Sequence, residues 1–228
     1  MAKLSHSITT RWAAGDGGLA SPSGAEMSEA DALAAMPELG VHEVELDGES
    51  FPVERVGSRY CSVADVRAAA FRNNDGFADE RKYPDDAVLA AIQQAEEAIE
   101  DGCRRSFCKR AATVALRGGG RLEELPEQDV SSLSAGTLVG DRQAVADEPC
   151  EAVMVYGANC PARIRQACIT LASSFLRPRA GAENARGQSV DGVYISYELA
   201  TGEEGSWTGL PSVDAAIASH RSRRVVVG

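Results

Sequence analysis

The strongest pattern of hydrophobic and polar positions is a helical one over residues 84–107, PDDAVLAAIQQAEEAIEDGCRRSF. Apolar residues recur there every three or four positions, which places them on one face of an α-helix. These residues are Val88, Ile92, Ala95, Ile99 and Cys103. Pro84 suits the first turn, and the acidic pair at 85–86 suits the positive end of the helix dipole. We expect Glu96, Glu97 and Glu100 on the solvent-exposed face.

The same period marks four further helices. Residues 161–176, PARIRQACITLASSFL, place Ile164, Cys168, Leu171 and Phe175 on one side. A short helix is predicted after Ser28 and another after Ser62, because serine is a good N-cap and Asp65 lies at the position that closes a capping box. A last helix is predicted over residues 211–224, with Val213, Ile217 and His220 aligned.

Alternating runs predict β-strands between these helices. The segment HEVELDGESFPVE reads as a hairpin about Asp47 and Gly48, the favoured two-residue turn. Several short strands are expected over residues 111–157, and GVYISYELA at 192–200 alternates as one more. The RGGGR stretch at 117–121 is interpreted as a hairpin turn and not as a phosphate loop, because its glycines lead into LEELP and not into a helix.

Together these elements predict a mainly α fold, a helix bundle with a small antiparallel β subdomain or hairpins. Residues 1–25 are rich in glycine, serine and alanine and predict a flexible N-terminal arm. The expected organisation is an arm with a short helix and hairpin at 1–57, a helical core at 58–218 with a β insertion at 111–157, and a C-terminal tail at 219–228.

The charge is placed unevenly along the 228 residues. The formal net charge is -11, and residues 1–100 carry all of it, while the end of the chain, SHRSRRVVVG, is basic and then apolar. An acidic surface repels a phosphate backbone, so sequence-specific DNA binding is not expected. No stretch approaches the roughly 18 apolar residues of a membrane span, so no membrane partner is expected.

The residues that usually carry chemistry do not converge in the sequence. The six cysteines are scattered without a CxxC pair, so we interpret them as reduced thiols packed in the core and expect no metal site. The acid pairs at 85–86 and 96–97 are neighbours on a helix and point about 100 degrees apart, so they form no dyad. We therefore expect no catalytic residue and no cofactor, and do not expect an enzyme.

Four motifs in a fixed order add a family resemblance. Tyr60 and Ser62 open a helix, P-D-D-x-V-L-x-x-I-x-x-A-x-x-x-I-E-x-x-C-x-R-x-F spans 84–107, V-Y-G-x-x-C-P-x-x-I-R-Q-A spans 155–167, and T-G-L-P-S-V-D-A spans 208–215. Over roughly residues 58–228 the chain resembles the head-tail connector, or head-to-tail adaptor, proteins of long-tailed double-stranded DNA bacteriophages.

The resemblance implies a structural virion protein, made in the host bacterial cytoplasm and located in the head-tail neck. Such proteins form a homo-oligomeric ring, commonly of twelve, that links the portal protein to a stopper or other tail protein. The ring extends the channel through which genomic DNA passes without sequence-specific binding. In this family the C-terminal segment docks into the portal, which here implies the portal-binding residues Arg221, Arg223, Arg224, Val225, Val226 and Val227.

Three alternatives stay open. Another neck or tail-completion protein, a stopper or a tail terminator, is expected to be richer in β-structure. A small cytoplasmic enzyme or regulator would depend on one thiol, such as that of Cys108 or Cys160. A small terminase subunit also forms a helical ring, but it needs a basic DNA-binding face, and the tail is the only basic cluster in the sequence.

Overall fold

The computed structural model describes residues 9–69, 77–177 and 208–222, and the backbone of 187–190 and 193–196. The chain divides into two compact units, each built from two separate stretches of sequence. Unit 1 comprises Met1–Arg59 and Arg105–Cys160, and unit 2 comprises Tyr60–Arg104 and Pro161–Gly228. Strands contain about as many of the described residues as helices do. The prediction of a mainly helical fold is therefore wrong, and the fold is mixed α and β.

The described residues form five helices and thirteen strands. The helices are α1 (Glu29–Ala35), α2 (Val63–Ala68), α3 (Asp85–Cys103), α4 (Ala162–Leu176) and α5 (Pro211–His220). The strands are β1 (Thr10–Trp12), β2 (Leu19–Ala20), β3 (Glu26–Met27), β4 (Gly40–Leu46), β5 (Glu49–Arg55), β6 (Arg110–Leu116), β7 (Arg121–Glu124), β8 (Ser132–Leu133), β9 (Thr137–Leu138), β10 (Gln143–Ala146), β11 (Cys150–Tyr156), β12 (Gly187–Val190) and β13 (Val193–Ser196).

The first sheet of unit 1 contains the predicted hairpin. Strands β4 and β5 pair antiparallel with Leu46 opposite Glu49, which leaves Asp47 and Gly48 as the two-residue turn. Both turn residues have positive φ, 52° and 79°, as a type I′ turn requires. The hairpin prediction is confirmed.

Strand β1 extends this sheet, in the order β1-β5-β4, by pairing parallel to β5. Trp12 and Leu19 are buried in a core cluster with α1 and the hairpin, and the indole Nε1 of Trp12 donates a hydrogen bond to Gly17 O at 3.1 Å. The prediction of a flexible arm is therefore wrong from Thr10 onward, because a buried tryptophan and a parallel strand fix this segment to the sheet.

Two further three-stranded sheets, β6-β11-β8 and β7-β10-β9, complete the core of unit 1. Because β6 and β7 belong to different sheets, the prediction of a hairpin turn at RGGGR is wrong. The glycines carry the chain from one sheet to the next, and the N–H groups of Gly119 and Gly120 donate to Asp147 O and Ala146 O. A core cluster lies between these strands, with Leu125, Met154 and Ala144 almost fully buried.

A buried carboxylate joins three strands of unit 1. Glu54 on β5 accepts two hydrogen bonds from Arg110 on β6, at 2.6 and 2.8 Å, and lies 3.5 Å from Arg11 Nε on β1. The bidentate geometry satisfies both carboxylate oxygens, which a buried charge requires.

Unit 2 is a small helix bundle of α3, α4 and α5 with α2 against it. The predicted apolar stripe of α3 is confirmed, since Val88, Ile92, Ala95, Ile99 and Cys103 are all buried. The helix ends at Cys103, earlier than the predicted span to 107, because Arg104 adopts the left-handed conformation with φ 57°. On α4, Phe175 is exposed, against the prediction that it shares the buried face.

Glu96 is the main departure from the predicted face of α3. It is 1% exposed, so its expected place on the solvent face is wrong. One carboxylate oxygen accepts the backbone N–H of Tyr60 at 2.9 Å, and the Tyr60 hydroxyl donates to Glu100 at 2.7 Å. The tyrosine of the first motif is thus held by two acidic side chains of the second, which fixes the start of α2 on α3.

Replacing Glu96 by leucine is expected to destabilise the protein more than replacing it by glutamine. Glutamine retains a carbonyl acceptor for the buried Tyr60 N–H, whereas leucine leaves that donor unsatisfied, at a cost of about 1–3 kcal/mol. Chemical denaturation of Glu96→Leu and Glu96→Gln measures the difference. Gln94 is exposed on the same helix, so Gln94→Leu serves as the control and should stay within about 0.5 kcal/mol of the native protein. Equal stabilities of the two Glu96 variants would contradict this role.

The start of α2 is a capping box, as predicted. Ser62 and Asp65 exchange side-chain and backbone hydrogen bonds, and Arg165 on α4 donates to both Asp65 oxygens at 2.7 and 2.8 Å. The Ser62 N–H and then the Arg165 guanidinium hold the pKa of the Asp65 carboxyl below its usual value of 3.8.

The contribution of Asp65 to stability is therefore expected to disappear in acid. A carboxyl whose pKa is lowered by folding stabilises the protein above its unfolded-state pKa and loses that effect as pH falls through the folded-state value. Asp65→Ala should lower the free energy of unfolding by about 1 kcal/mol at pH 7, and the gap to the native protein should begin to narrow as the pH falls below about 4. Denaturant titrations between pH 7 and pH 3 measure this gap. The stability of Arg165→Ala should change less between pH 7 and pH 3 than that of the native protein, but it should still change. If the stability gap between the native protein and Asp65→Ala is the same at pH 3 as at pH 7, the assignment is refuted.

Candidate interaction surface

The C-terminal helix α5 has a defined start in unit 2. Its N-cap position is Leu210, which offers no side-chain acceptor, and Pro211 occupies the first turn. Asp214 in the first turn instead accepts the backbone N–H and the hydroxyl of Thr208, which precedes the helix, both at 2.9 Å. The T-G-L-P-S-V-D motif is thus a helix start in which hydrogen bonds between the threonine and the aspartate hold the turn before the helix.

The end of α5 is anchored on the end of α3. The Ser222 N–H donates to Cys103 O at 2.9 Å, and the Cys103 thiol contacts Ile217 O at 3.6 Å. Gly102 makes the approach possible, because a Cβ built there would lie 2.7 Å from Ile217 Cγ2. The last described residues of the chain are therefore held beside the C-terminal end of α3.

The predicted docking residues lie at this anchored end of α5 and beyond it in the sequence. Arg221 is exposed at the C-cap of α5, one residue before the described chain ends. Arg223, Arg224, Val225, Val226 and Val227 lie outside the described residues. Sequence reasoning missed the anchor itself, whose only signal was the pair Gly102 and Cys103 at the end of α3.

The motif V-Y-G-x-x-C-P has a structural role in unit 1. Gly157 ends β11 with φ 107°, and a Cβ built there would lie 1.9 Å from Cys108 O. Only glycine allows the two backbones to approach this closely. The motif thus fixes how β11 leaves its sheet before the chain enters α4.

The positions of Cys108 and Cys160 give little support to the alternative of a thiol-dependent enzyme. Cys108 is buried, with its N–H directed at Ser106 Oγ at 3.3 Å, while Cys160 is half-buried. Within the described ranges, no group of three or more histidine, cysteine, aspartate or glutamate side chains is arranged to hold a metal ion. Over the same part of the chain, no helix is both long and apolar enough to cross a membrane.

The chain matches no model of a known protein family, and no curated protein sequence is similar to it. Solved structures are similar. One is a chain in the neck of an empty GTA particle computed with C6 symmetry, with 21% identity and a TM-score of 0.50 over 83% of this chain and 99% of that one.

Two more distant structures come from similar particles. A chain of the virion of a native gene transfer agent (GTA) particle is 20% identical with a TM-score of 0.47, over 74% of this chain and 93% of that chain. A chain from the neck of a native GTA particle computed with C12 symmetry is 19% identical with a TM-score of 0.42, over 75% and 97%. Both scores are too low to add to the argument, and the first structure shows a shared fold that spans nearly the whole of its chain.

Proposed function

We propose that this chain is a structural protein of a virion neck, and specifically a head-to-tail adaptor that forms a ring below the portal. The observation that carries the proposal is the fold shared with a chain from a GTA neck, which extends over 99% of that chain. The order of four adaptor-like motifs in the sequence supports it independently. The motif at Tyr60 and the motif at 84–107 contact each other in unit 2, and the motif at 208–215 forms the start of α5.

A ring is the natural assembly for such a protein. The similar neck was computed with C6 symmetry, and a ring of twelve is compatible with six-fold symmetry, as is a ring of six. We propose the ring of twelve that the resemblance implies, with the acidic surface repelling DNA and so letting it move through the channel.

The anchored end of α5 supports docking of the C-terminal tail to the portal. Residues 223–228 follow directly on an anchored helix end, so a ring of such subunits presents one copy of the tail per subunit at equivalent positions. The valines are suited to adding a strand to the edge of a foreign sheet, and the arginines to meeting acidic groups beside it.

A second candidate is another neck protein, a stopper or a tail terminator. The observation that favours it is the β-rich character of unit 1, which contains eleven of the thirteen described strands. Unit 2, with α3 and α4 as its long helices, favours the adaptor. The two roles differ in what each protein binds first, since an adaptor meets the portal directly and a stopper meets the adaptor.

Electron microscopy of portal rings from the same particle tests the proposal. Purified rings with this protein added should carry an extra layer coaxial with the portal channel, and rings alone should lack it. If the layer forms only after another neck protein has bound, the chain is a stopper or terminator. If it forms under neither condition, the neck assignment fails.

A further inference from the structure

Two buried thiols of unit 2 come from distant parts of the sequence and meet. The Sγ atoms of Cys61 and Cys168, which are 107 residues apart, lie at 3.6 Å. Cys61 is 3% exposed just before α2, and Cys168 is fully buried in the middle of α4. Neither thiol is used by the anchor of α5 or by the capping box of α2.

The distance is close to what a disulfide needs. A disulfide holds its sulfurs about 2.05 Å apart, so the two Sγ atoms would have to approach by roughly 1.5 Å, which small rotations of both side chains can supply. Other cysteines contact oxygen atoms, for example Cys103 with Ile217 O and Cys108 with Ser106 Oγ. Cys61 and Cys168 differ from these because each contacts the other's thiol.

We propose that Cys61 and Cys168 are a redox pair that closes to a reversible disulfide under oxidising conditions. With oxidised glutathione as oxidant, the Cys61 thiolate attacks one glutathione sulfur and releases a glutathione thiolate. The Cys168 thiolate then attacks Cys61 Sγ and releases the second. The protein loses two electrons and two thiol protons, and one oxidised glutathione becomes two reduced ones.

Cys61 is the thiol that reacts first. It lies in the segment that enters α2, a helix of six residues, whose local opening breaks the Tyr60–Glu96 hydrogen bond and the capping box but leaves α4 in place. Cys168 lies in the interior of the fifteen-residue α4. The pair is therefore reached through opening of α2, and oxidation should be slow in the folded protein.

Closure would attach the start of α2 covalently to α4. The loop it closes includes α2, α3 and the whole chain between them and α4, and long loops give the largest loss of unfolded-state entropy. In the neck, and resting on the proposed function, the bond would form after the particle has left the reducing cytoplasm. Structural disulfides are stable in the oxidising environment outside it.

Peptide mapping of the full chain tests the pair without reference to the neck. Trypsin releases the two cysteines in separate peptides, YCSVADVR (60–67) and QACITLASSFLRPR (166–179), each with one cysteine. After incubation in oxidised glutathione and alkylation under native conditions, we expect these two peptides to be linked, and to separate on reduction. The oxidised protein should unfold about 5–10 °C above the reduced protein.

Matched variants separate this bond from other thiol chemistry. Cys61→Ser and Cys168→Ser should each lose the linked peptide and the shift in unfolding temperature, whereas Cys150→Ser, at a half-buried position in unit 1, should retain both. Absence of the linked peptide after prolonged oxidation, or its presence without any change in unfolding temperature, overturns the proposal. Neither outcome bears on portal binding, so the proposed function stands or fails separately.

Discussion

Deletion of residues 223–228 is expected to abolish docking to portal rings while leaving the fold unchanged. The deletion retains Ser222, whose N–H holds the end of α5 on α3 by donating to Cys103 O. The lost strand pairing and the lost arginine contacts should weaken binding by at least about 100-fold, which corresponds to about 3 kcal/mol. Sedimentation of the truncated protein with portal rings measures the binding, and thermal unfolding measures the fold.

Two substitution variants divide the tail effect into its parts. Arg223→Glu with Arg224→Glu should reduce binding and weaken its dependence on salt, since charged contacts are screened. Serine at 225–227 should reduce binding at every salt concentration. Arg163 is exposed on α4, and Arg163→Glu is the control for a change of charge elsewhere. Undiminished docking by the truncated protein would show that the tail is not the portal-binding element.

Gly157→Ala is expected to be the most destabilising single change in unit 1. The added Cβ would lie 1.9 Å from Cys108 O, and the residue must keep φ 107°. Backbone has to move at the end of β11 to relieve the contact, so we expect a loss of about 3 kcal/mol or more in the free energy of unfolding. Denaturant unfolding of the purified variant measures it.

Gly119→Ala separates the steric contact from backbone strain. Gly119 also has a positive φ, of 80°, but a Cβ built there meets nothing within 4 Å. This variant should lose only about 1–2 kcal/mol in the free energy of unfolding, the cost of holding alanine in the left-handed backbone conformation. If the two alanine variants lose equal stability, the approach of Gly157 to Cys108 is not the cause.

The elements that the sequence predicts well are those determined by neighbouring residues. The hairpin at Asp47 and Gly48 follows from two residues that accept a positive φ, and the capping box at Ser62 from two residues three apart. The buried stripe of α3 follows from a period that extends over five turns. Each of these features needs no information from distant parts of the chain.

The elements that the sequence does not predict depend on distant partners. The parallel pairing of β1 with β5 joins residues some forty positions apart through α1 and β4, and the segment around Trp12 reads as a loop without it. Glu96 looks like a surface residue by helical period, and it is buried because Tyr60 brings a backbone N–H to it. Strands of two to four residues, such as β8 and β9, are too short to show alternation.

The candidate docking surface was predictable in composition but not in geometry. The basic and apolar end of the chain is evident from the sequence, whereas its anchor requires Gly102 to admit Ile217 against α3. A glycine near a helix end predicts a cap, and nothing local indicates that a second helix packs onto it. The structure thus adds the anchored end of α5, the helix that immediately precedes the tail in the sequence.

Native mass spectrometry of portal rings saturated with this protein tests the adaptor assignment most directly. The account predicts a single new species in which each portal ring carries one full ring of this chain, twelve copies, with no partially filled intermediates dominating at saturation. A protein that stays strictly monomeric, with the mass of the portal ring unchanged at saturating concentration, would contradict it.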